Sequence, residues 1–113
     1  MARRALPPLA STLWTPLINA SRVLNLAGRF TDAEPLAREQ LTIVDLEQFL
    51  EVDSRRAGSL FELGIALRGE KKYREAASTF QRTLRIYEQL GPIWAKRAGQ
   101  VREIIREGPS LSK

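Results

Sequence analysis

The stretch "KKYREAASTFQRTL", residues 71–84, repeats in outline the stretch "GRFTDAEPLAREQL", residues 28–41. In both stretches an aromatic residue is followed by an alanine three positions later and by a leucine eight positions after that alanine. Self-similarity at a fixed spacing indicates a stack of repeated structural units. A shift of 43 residues aligns Leu17 with Leu60, Leu24 with Leu67, Phe30 with Tyr73, Ala33 with Ala76 and Leu41 with Leu84.

The spacing of apolar residues predicts that each repeated unit is a pair of helices. Leu60, Leu63 and Leu67 recur at intervals of three, four and seven, which places them on one helical face together with Gly64. We expect Gly64 to be small because two helices cross closely there. Nothing in the sequence alternates as a strand does. We therefore predict an all-α fold. The second helix of this pair carries its apolar face on Tyr73, Ala76, Ala77, Phe80, Leu84 and Tyr87.

Glycine, proline and a capping pattern predict where the helices begin and end. Gly28 and Gly69 are each expected to stop a helix, because glycine tolerates the left-handed conformation at a helix C-terminus. Thr31 and Glu34 have the spacing of a capping box at the start of the next helix. Pro92 is well placed to begin a third helix. Turns this short predict antiparallel neighbours.

These residues resemble a known family. The pattern Leu60-x2-Leu63-Gly64-x2-Leu67, followed by Ala76-x3-Phe80, is close to that of the tetratricopeptide repeat. The repeat length and the phrase "GRFTDAEPLAREQLTI" resemble the longer repeats of the kinesin light chain type. The resemblance covers residues 13–107. It implies a right-handed α-α superhelix of two antiparallel helical pairs, with the helix after Pro92 as a cap.

The predicted domain organisation has three parts. Residues 1–12 form a basic, flexible N-terminal segment, residues 13–107 form the helical repeat domain, and residues 108–113 form a flexible tail. The first 31 residues contain four arginines and no acidic residue, which is also the composition of an organelle presequence. We expect a cytoplasmic protein, with import into an organelle as the alternative.

The composition argues against most kinds of catalysis. The chain has no cysteine and no histidine, so disulfides, thiol nucleophiles, ordinary zinc sites and a histidine base are excluded. No apolar run approaches the roughly 18 residues of a membrane-spanning helix. The net charge of +5 admits an acidic protein, a phosphate-bearing ligand, a nucleic acid or an anionic membrane surface as partner, and by itself it selects none of them. We expect no enzymatic activity and no cofactor.

One dense set of carboxylates could in principle hold a metal ion. Glu47 and Glu51 are one helical turn apart, close enough to share a hard cation. No EF-hand spacing or glycine turn accompanies them, so we interpret the set as a solvated helix end and predict no metal site. The set consists of Asp45, Glu47, Glu51 and Asp53.

The family resemblance implies a binding groove lined by the first helix of each pair. Phe61 and Ile65 lie on a different face from Leu60, so their helix is apolar on two sides. A second apolar face is either covered by a neighbouring helix or left for a ligand, and the sequence leaves both readings open. The implied partner-binding residues are Ile18, Arg22, Asn25, Phe61, Ile65, Arg68 and Arg102.

The expected partner is a protein with an acidic or amphipathic segment, or a second copy of the chain. Two and a half repeats leave apolar surface that self-association could cover. Ile18 and Arg22 stand where related proteins use lysine and asparagine to clamp a chaperone's terminal carboxylate, so we do not predict that ligand. The alternative partner is a nucleic acid. Its basic candidates are Lys71, Lys72, Arg74, Lys96, Arg97, Arg102 and Arg106.

Overall fold

The computed structural model describes residues 8–46 and 51–108, and all regular structure within them is helical. The all-α prediction is therefore confirmed. The helices are α1 (Pro8–Leu26), α2 (Phe30–Leu46), α3 (Ser54–Gly69), α4 (Tyr73–Leu90) and α5 (Ala95–Glu107), with a 3-10 turn at Pro92–Trp94.

Consecutive helices pack against each other along the whole chain. α1 contacts α2, α2 contacts α3, α3 contacts α4 and α4 contacts α5, while α1 also touches α3. We call α1 and α2 the first helical pair, and α3 and α4 the second. α1 begins at Pro8, upstream of the predicted domain start at residue 13. The predicted flexibility of residues 1–7 and 109–113 lies outside the described residues.

The second helical pair holds the centre of the core. Leu60, Leu63 and Leu67 on α3 pack with Phe80 on α4, and all four are nearly inaccessible to solvent. A Cβ atom added to Gly64 would stand 2.7 Å from the ring of Phe80, too close for any real contact. The prediction that Gly64 is small where two helices cross closely is confirmed.

Both turns within the helical pairs use the same hydrogen-bonding motif. After α1 the N–H of Gly28 donates to Asn25 O and that of Arg29 to Leu24 O. After α3 the N–H of Lys71 donates to Arg68 O and that of Lys72 to Leu67 O, which are the same sequence separations as in the first turn. The backbone angle φ is positive at the turn residue in both cases, 78° at Gly28 and 67° at Lys71. These are Schellman motifs, which need a left-handed residue after the helix.

The role predicted for Gly69 is therefore wrong. Gly69 is the last helical residue of α3, and Lys71 takes the left-handed position that glycine normally fills. Gly69 is small for another reason, because a Cβ atom there would lie 2.1 Å from the ring of Phe30 on α2. The close approach joins the first helical pair to the second.

The predicted capping box at the start of α2 is also wrong. α2 begins at Phe30, so Thr31 lies within the helix, and the N–H groups of Asp32 and Ala33 donate to Arg29 O. The carboxylate of Glu34 accepts from the side chains of Arg38 and Lys72. Glu34 therefore does not cap the backbone of α2. One of its partners, Lys72, lies in the turn before α4, so Glu34 links α2 to the second helical pair.

The last helix joins the core through its first two turns. The ring of Trp94 stacks on that of Tyr87 with centroids 5.5 Å apart, and Ala98 and Val101 are buried against the second pair. None of the helices in residues 8–46 and 51–108 has the length and apolar character needed to cross a membrane.

Candidate functional site

Three of the predicted contact residues lie on α1, and two of them are hydrogen-bonded to Glu62 on α3. The side-chain nitrogen of Asn25 donates to the main-chain oxygen of Glu62 at 3.1 Å and to its carboxylate at 2.9 Å. Arg22 Nε donates to the other carboxylate oxygen at 3.3 Å. Glu62 is buried, so these two side chains supply the hydrogen bonds that a buried carboxylate requires.

Burial separates the residues predicted on α1. Ile18 and Asn25 are only 5% and 7% exposed, so they lie inside the packed interior. The side chain of Arg22 is 44% exposed and remains accessible beside Glu62. The Oδ1 atom of Asn25 is buried without a hydrogen-bond partner among the described residues. Of the three, only Arg22 presents a surface to a partner in this arrangement.

The polar cluster around Glu62 extends towards the phenol of Tyr87 on α4. Burial raises the pKa of Tyr87, while the positive charge of the nearby Arg97 guanidinium acts in the opposite direction. The negative charge of Glu62 also raises this pKa, and the positive charge of Arg22 lowers it. α1, α3, α4 and α5 therefore all contribute polar groups to one region.

Phe61 and Ile65 on α3 are half-buried. The ring of Phe61 packs edge to face on that of Phe80, with centroids 6.1 Å apart. Phe61 and Ile65 both pack against the central core. Neighbouring side chains thus cover part of the second apolar face of α3, and part of it stays accessible. The face is therefore neither fully covered nor fully exposed.

Arg68 follows on the same helix and borders a small cavity between α3, α4 and α5. The cavity has a volume of about 80 Å³. The guanidinium of Arg68 is 4.0 Å from the carboxylate of Glu107, a long distance for an ion pair. The recess is much smaller than the roughly 300–1,000 Å³ of a ligand pocket, so it has room for a single small apolar group beside the loosely paired cation. The other lining residues are Tyr73, Ala76, Ala77, Phe80, Ile104, Ile105 and Gly108.

Arg102 does not line this cavity. It borders a larger one, of about 420 Å³, formed by Gln81 and Leu84 on α4 with residues of α5 that include Gly99. Its guanidinium pairs with Glu88 at 3.3 Å. Arg102 therefore lies in a cleft between α4 and α5. Arg68 borders the smaller cavity, which lies between α3, α4 and α5.

The carboxylates considered as a metal site bind arginines. Asp45 and Glu51 lie 2.6 and 3.6 Å from the buried guanidinium of Arg56. Glu51 also pairs with Arg82 at 2.8 Å, and this hydrogen bond lowers the pKa of Glu51. The interpretation as a simple solvated helix end is incomplete for these residues, since they form an ion-pair network.

The remaining members of that set have other roles or positions. Asp53 accepts from the N–H of Arg55 at 2.8 Å and caps α3, and Glu47 lies outside the described residues. Within residues 8–46 and 51–108, no three acidic side chains are placed to hold a metal ion.

Glu62 is the residue of this region that the sequence analysis missed. It lies in the run Leu60-Phe61-Glu62-Leu63, where a carboxylate interrupts apolar residues. A charged residue is almost never buried without partners, so a lone acid in an apolar run is a signal for a buried, paired carboxylate. The partners themselves, on α1, could not be read from that signal.

Comparison with known proteins gives no match: no family model, no curated protein and no solved structure is detectably similar to this chain. The likeness to tetratricopeptide repeats therefore rests on the residues of the chain itself.

Proposed function

We propose that this chain is a non-catalytic protein-interaction module, a scaffold or adaptor built from two tetratricopeptide-like helical pairs and α5. The order of contacts supports this proposal, since each helix packs on the next and the first helices of the two pairs meet at Asn25 and Glu62. A stack of this kind offers an extended face for a partner. The partner is a protein with an acidic or amphipathic segment, or a second copy.

The observation that carries the proposal is the surface of α3. Phe61 and Ile65 keep accessible apolar area, and Arg68 follows them beside an apolar cavity. The ion pair of Arg68 with Glu107, at 4.0 Å, is long. A guanidinium that is not committed to a close carboxylate can form charge-assisted hydrogen bonds with a ligand. Apolar anchors with a neighbouring positive charge favour an acidic amphipathic segment.

The charge distribution favours a protein partner over the alternative, a nucleic acid. Three of the basic residues that could contact phosphates are paired within the chain: Lys72 with Glu34, Arg102 with Glu88 and Arg106 with Glu103. Binding a phosphate backbone through these three residues would require breaking their pairs. Nucleic-acid affinity depends on cations that are free to replace counterions.

The first experiment measures self-association. Light scattering on the purified chain, over a range of protein and salt concentrations, gives its mass in solution. A concentration-dependent dimer would support the second copy as the partner, and a monomer would direct the search to another protein. In parallel, fluorescence anisotropy with a labelled single-stranded RNA would support the nucleic-acid alternative if affinity fell steeply with salt.

The second experiment tests the surface of α3 directly. The double variant Ile65→Glu/Arg68→Glu reverses the chemistry of that surface, and Val23→Glu/Arg74→Glu places two glutamates at exposed positions of α1 and α4 as a matched control. We expect proteins that the wild-type chain enriches from native extract, or the dimer if one forms, to be lost only with the first variant. Equal behaviour of the two variants, at unchanged circular dichroism, would contradict the proposed surface.

A further inference from the structure

Two carboxyl groups meet where the first helical pair contacts the second. Glu34 is in the second turn of α2, and Glu70 is the residue directly after α3. The ammonium group of Lys72 lies 3.2 Å from Glu34 Oε1 and 3.5 Å from Glu70 Oε1. One cation therefore stands between two carboxyl groups that belong to different helical pairs.

Both carboxyl groups are mostly removed from solvent. The side chains of Glu34 and Glu70 are 14% and 9% exposed. The Oε1 atom of Glu70 accepts no hydrogen bond from the described residues, although Lys72 is near. A buried carboxylate with so little compensation is costly, and protonation removes the cost. Two such groups close together disfavour double ionisation further.

The surrounding charges come from every element at this contact. On α2, Arg38 donates to Glu34 at 2.7 Å, and its guanidinium also lies 3.6 Å from Glu75 on α4. Lys72 precedes α4 and is half-exposed. We call Glu34, Arg38, Glu70 and Lys72 the junction cluster. With one carboxyl ionised the four side chains sum to +1, and the carboxylate of Glu75 beside Arg38 offsets that charge.

We propose that Glu34 and Glu70 share one proton and form a pH-sensitive contact that holds the first helical pair against the second. In this contact the protonated carboxyl of Glu70 donates a hydrogen bond to the ionised carboxyl of Glu34. The contact adjoins the packing of Phe30 on Gly69, so it lies in the interface that sets how the two pairs fit together. It can be tested on the chain alone, whatever its partner.

The environments of the two groups agree with this assignment of the proton. The hydrogen bond with Glu70, assisted by those from Arg38 and Lys72, lowers the pKa of Glu34 to about 2. Burial raises the pKa of Glu70, and its hydrogen bond and repulsion with Glu34 raise it further, while Lys72 opposes the shift. Between these two pKa values the folded chain holds one proton on the pair.

The pH dependence of stability follows from counting protons. Below the ordinary glutamate pKa of about 4.3, the unfolded chain binds more protons than the folded pair, so stability rises with pH. Above the ordinary glutamate pKa the unfolded chain binds fewer protons than the folded pair, so stability falls as the pH rises. The contribution of Glu70 is lost as the pH passes through its raised pKa. The junction cluster therefore stabilises the fold most near the ordinary glutamate pKa.

The direct test is a carboxyl NMR titration of the full chain. We expect Glu70 to titrate above the ordinary glutamate value, and its pKa to fall in the variant Glu34→Gln because the negative neighbour is gone. Glu39→Gln, at an exposed position of the same helix, is the matched control and should leave the titration of Glu70 unchanged. An ordinary pKa for Glu70 in the wild-type chain would overturn the proposal.

A second measurement covers the case in which Glu34→Gln does not fold. Glu70→Gln keeps a hydrogen-bond donor but cannot ionise, so it imitates the protonated form. We expect its thermal midpoint to change less than that of the wild type between pH 4.5 and neutral pH. Parallel curves for the two chains would overturn the shared proton, since ionisation of Glu70 would then have no effect on the contact.

Discussion

The side-chain nitrogen of Asn25 reaches across to α3 and donates to both the carbonyl oxygen and the carboxylate of Glu62, 37 residues later in the chain. The two bonds connect the first helices of the two pairs. Because Glu62 is buried, the interaction satisfies a charge that would otherwise be expensive to enclose. It is one of several polar contacts between the two pairs, another being that of Lys72 with Glu34.

Replacing Asn25 should therefore destabilise the fold. Asn25→Leu keeps the approximate shape but removes both donors, and leaves two acceptors of Glu62 without their partner. We expect a loss of about 2–3 kcal/mol in the free energy of unfolding, measured by urea denaturation. Asn19→Leu, at an exposed position of the same helix, is the control. Equal stabilities of the two variants would show that the contact with Glu62 contributes little.

Gly69 and Gly99 should respond in opposite ways to the same substitution. Gly69→Ala places a Cβ atom 2.1 Å from the ring of Phe30, whereas Gly99→Ala meets nothing within 4 Å. We expect the first to destabilise the chain by about 1–3 kcal/mol through overpacking. The second should be neutral, or stabilise α5 by up to about 1 kcal/mol through helix propensity. Thermal unfolding followed by circular dichroism compares them, and equal effects would contradict the close approach of Phe30.

Lys71 occupies a backbone conformation that suits glycine. Its φ of 67° costs an L-residue about 1 kcal/mol, and glycine adopts the same angle without strain. Lys71→Gly should therefore raise the stability by up to about 1 kcal/mol in urea denaturation. Lys96→Gly, inside α5, should lower it by about 1 kcal/mol. A loss of stability in both variants would argue against the left-handed turn at Lys71.

The phenol of Tyr87 should ionise only at strongly alkaline pH. Burial raises its pKa above the ordinary value, so its contribution to stability is present below the tyrosine pKa of about 10 and is lost as the pH rises through the folded value. Spectrophotometric titration of the variant Tyr73→Phe isolates its signal, because the chain has two tyrosines. Ionisation near pH 10 in the folded state would contradict the burial of the ring.

Much of the fold could be predicted from the sequence because helical packing imposes a period on apolar residues. The faces of Leu60, Leu63 and Leu67, the crossing at Gly64 and the end of α1 at Gly28 all follow from local rules. The end of α3 was misassigned because the left-handed position holds a lysine. Gly69, two residues earlier, was interpreted as the helix stop. A small residue is needed there because the ring of Phe30 packs against it.

The candidate surface was harder to predict, since burial depends on contacts between distant segments. The spacing of Ile18, Arg22 and Asn25 places them on one face of α1, but it does not tell which of them α3 covers. The family resemblance implied that Arg102 and Arg68 line one groove, yet Arg102 borders a different cavity because α5 packs on α4 through Trp94, Ala98 and Val101.

By itself the sequence determined the helical class, the duplicated pair and the absence of cysteine and histidine chemistry, because these depend on composition and on residues within a few turns of each other. The tertiary structure alone decided that Glu62 is held by Asn25, that Phe30 requires Gly69, and that Glu34 meets Glu70. Each of these is a contact between residues about forty positions apart in the chain. Such contacts depend on how the helical pairs pack, and local periodicity carries no information about that packing.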